Sequence, residues 1–316
     1  MVLGDANPDV LVLGGDVTPA FGQQEKLVGS ISLVIGGSAA ITAVAAARLG
    51  LSVALVAAVG ADPPGAFMLD QLAAEGVDVS AVAVRDRAPT GMTVALSRGG
   101  DRAILTAPGA VASLTAADVP AALLARSRHV HASSWFLLAD GLGPGLAGLL
   151  AAARAAGATT SLDTNWDPAG RWGGEHLSAA IAQADVLLPN EAEALRLSGA
   201  ASLAAAAGIL TAAGPRLAVK LGERGALCAA GRARQQVSLP PVRPVDATGA
   251  GDCFNAGLIA GLLQGLALPR AAALGCAAGA LSAGAAGGTA GAPDLPAAAE
   301  LARLARVTDL PAERTG

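Results

Sequence analysis

At 316 residues the chain is long enough for one large α/β domain with a sizeable core. Charged residues make up 15%, the net charge is −4, and there are no Tyr, four Phe and three Trp. With neither a basic stripe nor rings to stack on bases, nothing favours nucleic acid as a partner. Cys228, Cys253 and Cys276 are scattered at no disulfide or metal spacing, which points to a reducing compartment. The opening Met1-Val2-Leu3-Gly4-Asp5 lacks the basic region and long apolar core of a signal peptide, so a cytoplasmic location is expected.

In chain order, Asp9-Val10-Leu11-Val12-Leu13-Gly14-Gly15 reads as a fully buried parallel strand closed by glycines. Val17–Val34 and Met92–Thr106 carry short alternating stretches, the second around the polar turn Arg98-Gly99-Gly100-Asp101, and read as hairpin-like strands outside the main pattern. Further buried strands are expected at Val53–Val59, His129–Ser133, Thr159–Leu162, Asp185–Leu188 and Leu217–Leu221. Ala-rich helical stretches such as Ala39–Leu49, Ala66–Glu75 and Leu146–Ala156 separate them. Strand alternating with helix means βαβ units, a mostly parallel sheet with helices on both faces, and ligands beyond the carboxyl ends of the strands. Cys253–Pro293 contains one charge, Arg270, and is long enough to cross a membrane. Its Gly and Ala suit tightly packed core helices better, so no membrane contact is expected.

The most informative run is Val245-Asp246-Ala247-Thr248-Gly249-Ala250-Gly251-Asp252, set directly before an apolar helix. Glycines let the backbone turn and let another group approach its amides. The first amides of the helix lack internal partners and carry its positive dipole end, which makes an anion site. A carboxylate beside a bound phosphate makes sense if Asp252 removes a proton from the hydroxyl attacking that phosphate. An N-cap alone would need no Gly-Ala-Gly in front of it.

This run resembles the signature of the ribokinase-like (PfkB) carbohydrate kinases, Asp-x-Thr-Gly-Ala-Gly-Asp. The resemblance implies a three-layer α/β fold in a single domain over 1–316, with a small β lid from about 17–34 and 92–106 that closes over a sugar. It also implies an ATP-dependent kinase acting on a hydroxyl, with Mg²⁺, and with Asp252 as base over the amides of Gly249, Ala250 and Gly251. Pro189-Asn190-Glu191-Ala192-Glu193 opens a helix, and Asn190 and Glu193 three apart make a capping box. In the resembled family Asn-x-x-Glu also reaches Mg²⁺ and phosphate through water, and both roles are expected at once. Val219-Lys220-Leu221-Gly222-Glu223-Arg224-Gly225 reads as a strand and a Gly-x-x-Gly turn, either an ordinary hairpin turn or a nucleotide contact in which Lys220 meets a phosphate and Gly222 and Gly225 admit the nucleotide. The Gly/Ala-rich 277–291 supplies the adenine wall by the same resemblance. Asp246 and Thr248 shape the turn or bind a monovalent cation such as K⁺.

Ile35–Gly50 resembles the family's N-terminal signature, in which Gly36-Gly37 opens a helix beside the substrate. Ile41 stands where the family usually has a substrate-binding Asn. Ala20 stands where an Asp commonly follows, four residues after Asp16. Asp16, Gly36, Gly37, Ser38, Ile41, Arg102 and Asn165 are therefore the candidate acceptor residues, Asn165 belonging to the Asp163-Thr164-Asn165 that matches the family's Asp-x-Asn. Asp167 occupies a place often held by Arg. A sugar or sugar derivative is the expected acceptor, with a nucleoside or vitamin-like alcohol as the alternative and a homodimer through the lid as a further implication. Two other classes stay open. Gly143-Pro144-Gly145-Leu146-Ala147-Gly148 fits a dinucleotide fingerprint with Asp163 as its ribose acid, the mark of an NAD-dependent dehydrogenase. A non-catalytic ligand sensor would have lost its base, and Asp252 is present. No P-loop motif occurs.

Overall fold

Fifteen strands form along residues 1–98 and 101–311, the part of the chain that the structure, a computed structural model, describes. In chain order they are β1 (Val2–Leu3), β2 (Asn7–Leu13), β3 (Ser30–Gly36), β4 (Leu55–Val56), β5 (Ala58–Gly60), β6 (Ala83–Arg85), β7 (Met92–Arg98) and β8 (Asp101–Ala107). There follow β9 (His129–Ala132), β10 (Thr159–Leu162), β11 (Val186–Leu187), β12 (Arg216–Lys220), β13 (Ala226–Ala230), β14 (Ala233–Ser238) and β15 (Arg306–Asp309). Nine of them make one sheet in the order β15-β14-β13-β12-β11-β10-β9-β1-β4. Within it β12 through β4 run parallel, while β13, β14 and β15 add antiparallel at one edge.

Helices cover both faces. On one, Trp135, Leu142, Leu146, Leu150, Leu177 and Leu210 pack on the sheet. On the other lie helices Ser38–Arg48, Ala250–Leu263 and Leu268–Ser282, whose interfaces are built from small residues. A Cβ on Gly257 would sit 2.7 Å from the Leu274 carbonyl, and one on Gly261 2.7 Å from the Ala271 Cα, so the low-charge segment 253–293 is a close-packed helix pair. Among the described residues no single helix is long and apolar enough to cross a membrane. The pair that reaches that length together, Glu191–Ser198 with Leu203–Ala212, is bent by 61°.

Two sequence expectations are corrected here. The Asp9–Gly15 run is not a strand of the main sheet. Val2–Leu3, only two residues long, takes the place between β9 and the edge strand β4, and β2 goes into a separate four-stranded sheet in the order β3-β2-β7-β8. The alternation that marks such a strand was hidden because Val10 to Leu13 are apolar on both faces. Register places Val10 and Val12 with Ile31, Leu33, Val94 and Leu105 on one face, and Asn7, Asp9 and Leu11 with Thr93 and Thr106 on the other. The second face looks inward, since Leu11 lies against Gly287 and Asp9 against Gly36. Within 17–34 only Ser30–Val34 joins this sheet, and 14–29 carries no strand. Val53–Val59 is divided between β4 of the main sheet and β5, which pairs β6.

Candidate active site

The decisive turn sits at the carboxyl edge of the sheet. Gly249 caps helix Ala250–Leu263 at φ 73°, a left-handed conformation that disfavours any side chain. A Cβ there would also lie 2.5 Å from the Gly288 carbonyl. Asp246 ties the turn together: Oδ1 accepts from the Thr248 amide at 2.9 Å and hydroxyl at 2.7 Å, and Oδ2 accepts from the Gly287 amide at 2.9 Å. Ala250 and Gly251, in the first turn of the helix, line a cavity of about 710 Å³. Its other walls are Lys220, the Gly222–Gly225 turn, Phe254, Cys276, Gly279, Ala280, Ala283 and the segment Leu239–Pro244. Gly225, at φ 83°, could not carry a Cβ, which would fall 2.0 Å from the Val237 carbonyl. An anion-binding helix end at one end of the cavity and flat, mostly apolar walls beyond it suit a nucleotide.

Asp252, 8% exposed, stands in the first turn of the same helix. Burial raises its carboxyl well above the ordinary value, Asp163 and Asp5 push in the same direction, and Lys220 and the Ser38 hydroxyl oppose them. Ser38 opens helix Ser38–Arg48 and binds Asn165, whose Nδ2 donates to its Oγ at 2.8 Å. The Asn165 side-chain oxygen accepts from the Ser134 amide at 2.8 Å, which fixes both groups around the base. Asp5, which the sequence reading passed over, is buried at the same helix end: it accepts from the amides of Ser38 and Ala39 and from Ser134 Oγ at 3.2, 3.0 and 2.8 Å.

Beside the turn, Asn190 and Glu193 form the capping box in both directions, at 2.9 and 2.8 Å. Glu193 is also 5% exposed, and burial together with Asp163 pushes its carboxyl up to about 7. Lys220 lines the cavity as expected of a nucleotide contact, and its Nζ lies 2.5 Å from Asp163 Oδ2. Gly143–Gly148 lies inside helix Gly143–Ala155 with Pro144 in its first turn and no positive-φ glycine among the three. The turn of a dinucleotide fingerprint is therefore absent, and the dehydrogenase reading falls.

A carboxyl buried in the first turn of a helix whose N-terminus lines a nucleotide-sized cavity is the arrangement of a phosphotransferase. A family model described as pfkB family carbohydrate kinase matches residues 2–295. The chain belongs to that family. Among pfkB relatives, it is 33% identical to the fructoselysine 6-kinase of Shigella flexneri over 78% of this chain and 88% of that one. It is 32% identical to the fructokinase of Salmonella typhimurium over 81% and 85%. A ribokinase-type structure from E. coli, solved in complex with ATP and Mg²⁺ and described as a putative ribokinase II, superposes with a TM-score of 0.83 at 25% identity, covering 96% of this chain and 98% of its own. The pfkB fold, with its hydroxyl-directed phosphotransferase activity, is thus shared along nearly the whole chain.

Several acceptor candidates land elsewhere than this pfkB resemblance placed them. Asp16 is in the irregular 14–29 segment, 61% exposed in its side chain and paired with Lys26 at 2.5 Å. Ala20 lies in the same segment. Ile41 is buried in the core and packs on Gly288 behind the anion turn, so it supplies no polar contact. Gly36 and Gly37 do open the Ser38 helix, and the carboxylate in contact with Gly36 belongs to Asp9. Asn7 precedes it and donates to Thr93 Oγ1 at 3.0 Å. The signal was in the sequence: Asn7 and Asp9 are two apart on a strand that begins opposite Gly36. Arg102 falls in β8 opposite Ser97, and its side chain lies outside the described residues. Cys253 is fully buried, its thiol pushed up to about 12 by burial, so it packs as a small hydrophobe.

Proposed function

We propose that this kinase transfers the γ-phosphate of ATP to a hydroxyl of a sugar or sugar derivative, with Asp252 as the base. The observation that carries the reading is the buried Asp252 carboxyl, placed in the first turn of a helix whose N-terminus faces the nucleotide cavity. Its raised proton affinity suits a group that takes a proton and holds it while the acceptor oxygen attacks. The amides of Gly249 to Asp252 hold charge on the moving phosphoryl group. Thr248, hydrogen-bonded to Asp246, keeps that turn in shape. The relatives named for fructoselysine, fructose and ribose point to a polyhydroxylated acceptor. Asn7, Asp9, Ser38 and Asn165 supply polar groups of the kind that buried hydroxyls need.

Asp163, Glu193, Asp252 and Asp5 outnumber Lys220 in this neighbourhood, an excess of negative charge that fits a cation. Mg²⁺ bound with ATP neutralises phosphate charge, and Glu193 and Asn190 are the residues that would reach it through water. Asp246, which already closes the turn, is where a monovalent cation such as K⁺ would act. The outer face of the four-stranded sheet leaves Ile31, Leu33 and Leu105 at 66, 42 and 66% exposure. The sheet thus combines a polar inner face toward the acceptor with an apolar outer face, consistent with a lid and with a second copy covering it.

Steady-state assays of ADP release against sugars, sugar phosphates and nucleosides test the reading, and acceptor-dependent ADP is the expected result. In the same assay Asp9→Ala is expected to raise the acceptor KM about tenfold or more, because it leaves a substrate hydroxyl unpaired. Asp16→Ala should change nothing. The reverse pattern would put the acceptor on the 14–29 segment. Asn190→Ala should cost about 1 kcal/mol in a denaturant melt and lower turnover as well. Lost stability with full turnover would reduce Asn190 to a helix cap.

A further inference from the structure

Beneath the anion turn, the end of β10, the end of β12 and the Ala250–Leu263 helix meet on one carboxylate. Asp163, fully buried just after β10, accepts at Oδ2 from Lys220 Nζ at 2.5 Å and from Asn255 Nδ2 at 2.6 Å. Its Oδ1 accepts from the Asn165 amide at 3.2 Å. Lys220 ends β12 with its side chain only 14% exposed and runs under the turn, where a Cβ on Gly251 would lie 3.6 Å from its Nζ. Asn255 is fully buried and stands three residues after Asp252, so the two share a face of one helix. The Lys220 amide donates to the Pro189 carbonyl at 2.9 Å, which fastens β12 to the start of the Glu193 helix.

The ammonium is committed to Asp163 although Lys220 also lines the nucleotide cavity, and drawing it away would uncover a buried charge, the costly way to break a buried pair. Burial works against the charge on Lys220, but Asp163 and Glu193 outweigh it, so the amine stays protonated. The charged groups that act on Asp252 are Asp163 at the end of β10, Lys220 at the end of β12, and Asp5 after β1, with the Ser38 hydroxyl beside it. Glu193 from its helix and His131 from β9 act on Asp163 and Lys220, and burial holds His131 neutral with a value of about 4.

We propose that Lys220 serves as a positioning residue: paired with Asp163, and joined through it to Asn255, it offsets the Asp163 charge at Asp252 and ties the Asp252 helix to the end of β10, which orients the carboxylate for the acceptor hydroxyl. The inference rests on the kinase reading above. Its test is the pH profile of kcat/KM for the acceptor at saturating Mg–ATP, in the wild-type enzyme, Lys220→Met, Asp163→Asn and the double variant. Lys220→Met removes the cation and should move the acidic limb up by about one pH unit. Asp163→Asn removes an anion, leaves Lys220 with Glu193 and Asp252 as charged neighbours, and should move the limb down. The double variant deletes the whole pair and should return the limb close to the wild-type position. Asn255→Ala leaves the charges in place and should lower kcat without moving the limb. In Asp163→Asn and Asn255→Ala the KM for ATP stays at the wild-type value.

Should Lys220→Met fail to fold, Asp163→Asn against the double variant carries the same comparison. A limb common to all variants overturns the proposal, as does a raised KM for ATP in Lys220→Met with the limb unmoved. A folded wild-type protein silent toward every acceptor overturns the kinase reading and this inference with it. An active wild-type enzyme with an unmoved limb overturns this inference alone.

Discussion

Asp252→Asn is expected to lower turnover by roughly 10²–10⁴ while leaving ATP binding nearly intact, because the change removes the base and keeps the shape of the helix end. The same substitution should raise the melting temperature at neutral pH. Asp252 has a folded-state value above the ordinary carboxyl value, so its proton-linked contribution favours folding fully at pH below about 3.8 and is lost as pH rises through the folded value. At pH 7 to 8 the buried carboxylate therefore burdens the fold, and Asn relieves it. Turnover and thermal melts on one preparation check both halves. A slow but more stable variant fits a site in which stability yields to function. Unchanged turnover would remove Asp252 as the base. A lower melting temperature would mean that its neighbours stabilise the charge more than burial opposes it.

Most of the fold was legible because buried parallel strands and Ala-rich helices have different periods, and because the Asp246–Asp252 run occurs directly before an apolar helix. What misled was local. Val2–Leu3 is too short to carry a periodic signal, yet it joins the main sheet between β9 and β4, while the longer Asn7–Leu13 lies in the smaller one. That displacement by one strand drew attention to Asp16, in the irregular 14–29 segment, instead of Asp9, which lies against Gly36. Asn255 and Asp163 escaped notice as a pair for a different reason. They are 92 positions apart, and no spacing rule joins residues that only the β10 edge and the Asp252 helix bring together. Leu239–Pro244 carried no signal in the sequence, and it becomes a cavity wall only once β14 delivers it beside Phe254.

Gly249→Ala is the second change with a large expected effect, and it separates the turn from the base. The left-handed backbone at φ 73° costs a side-chain-bearing residue roughly 1–2 kcal/mol. The new methyl would also lie 2.5 Å from the Gly288 carbonyl, which is backbone and cannot swing away. Relief requires the turn and the 283–288 loop to part, and Asp246 binds them together through Thr248 and Gly287. The amides at the helix end then shift relative to Asp252, and a displacement of about 1 Å is enough to cost about 10²-fold in rate. Unlike Asp252→Asn, this variant should weaken ATP binding, lower the melting temperature and lose turnover together. Isothermal titration with ATP beside the melt distinguishes the two. Full ATP affinity in a destabilised Gly249→Ala would show that the turn holds the fold and that the phosphate lies elsewhere. Lost affinity in a protein that still melts cooperatively would place the phosphate on these amides.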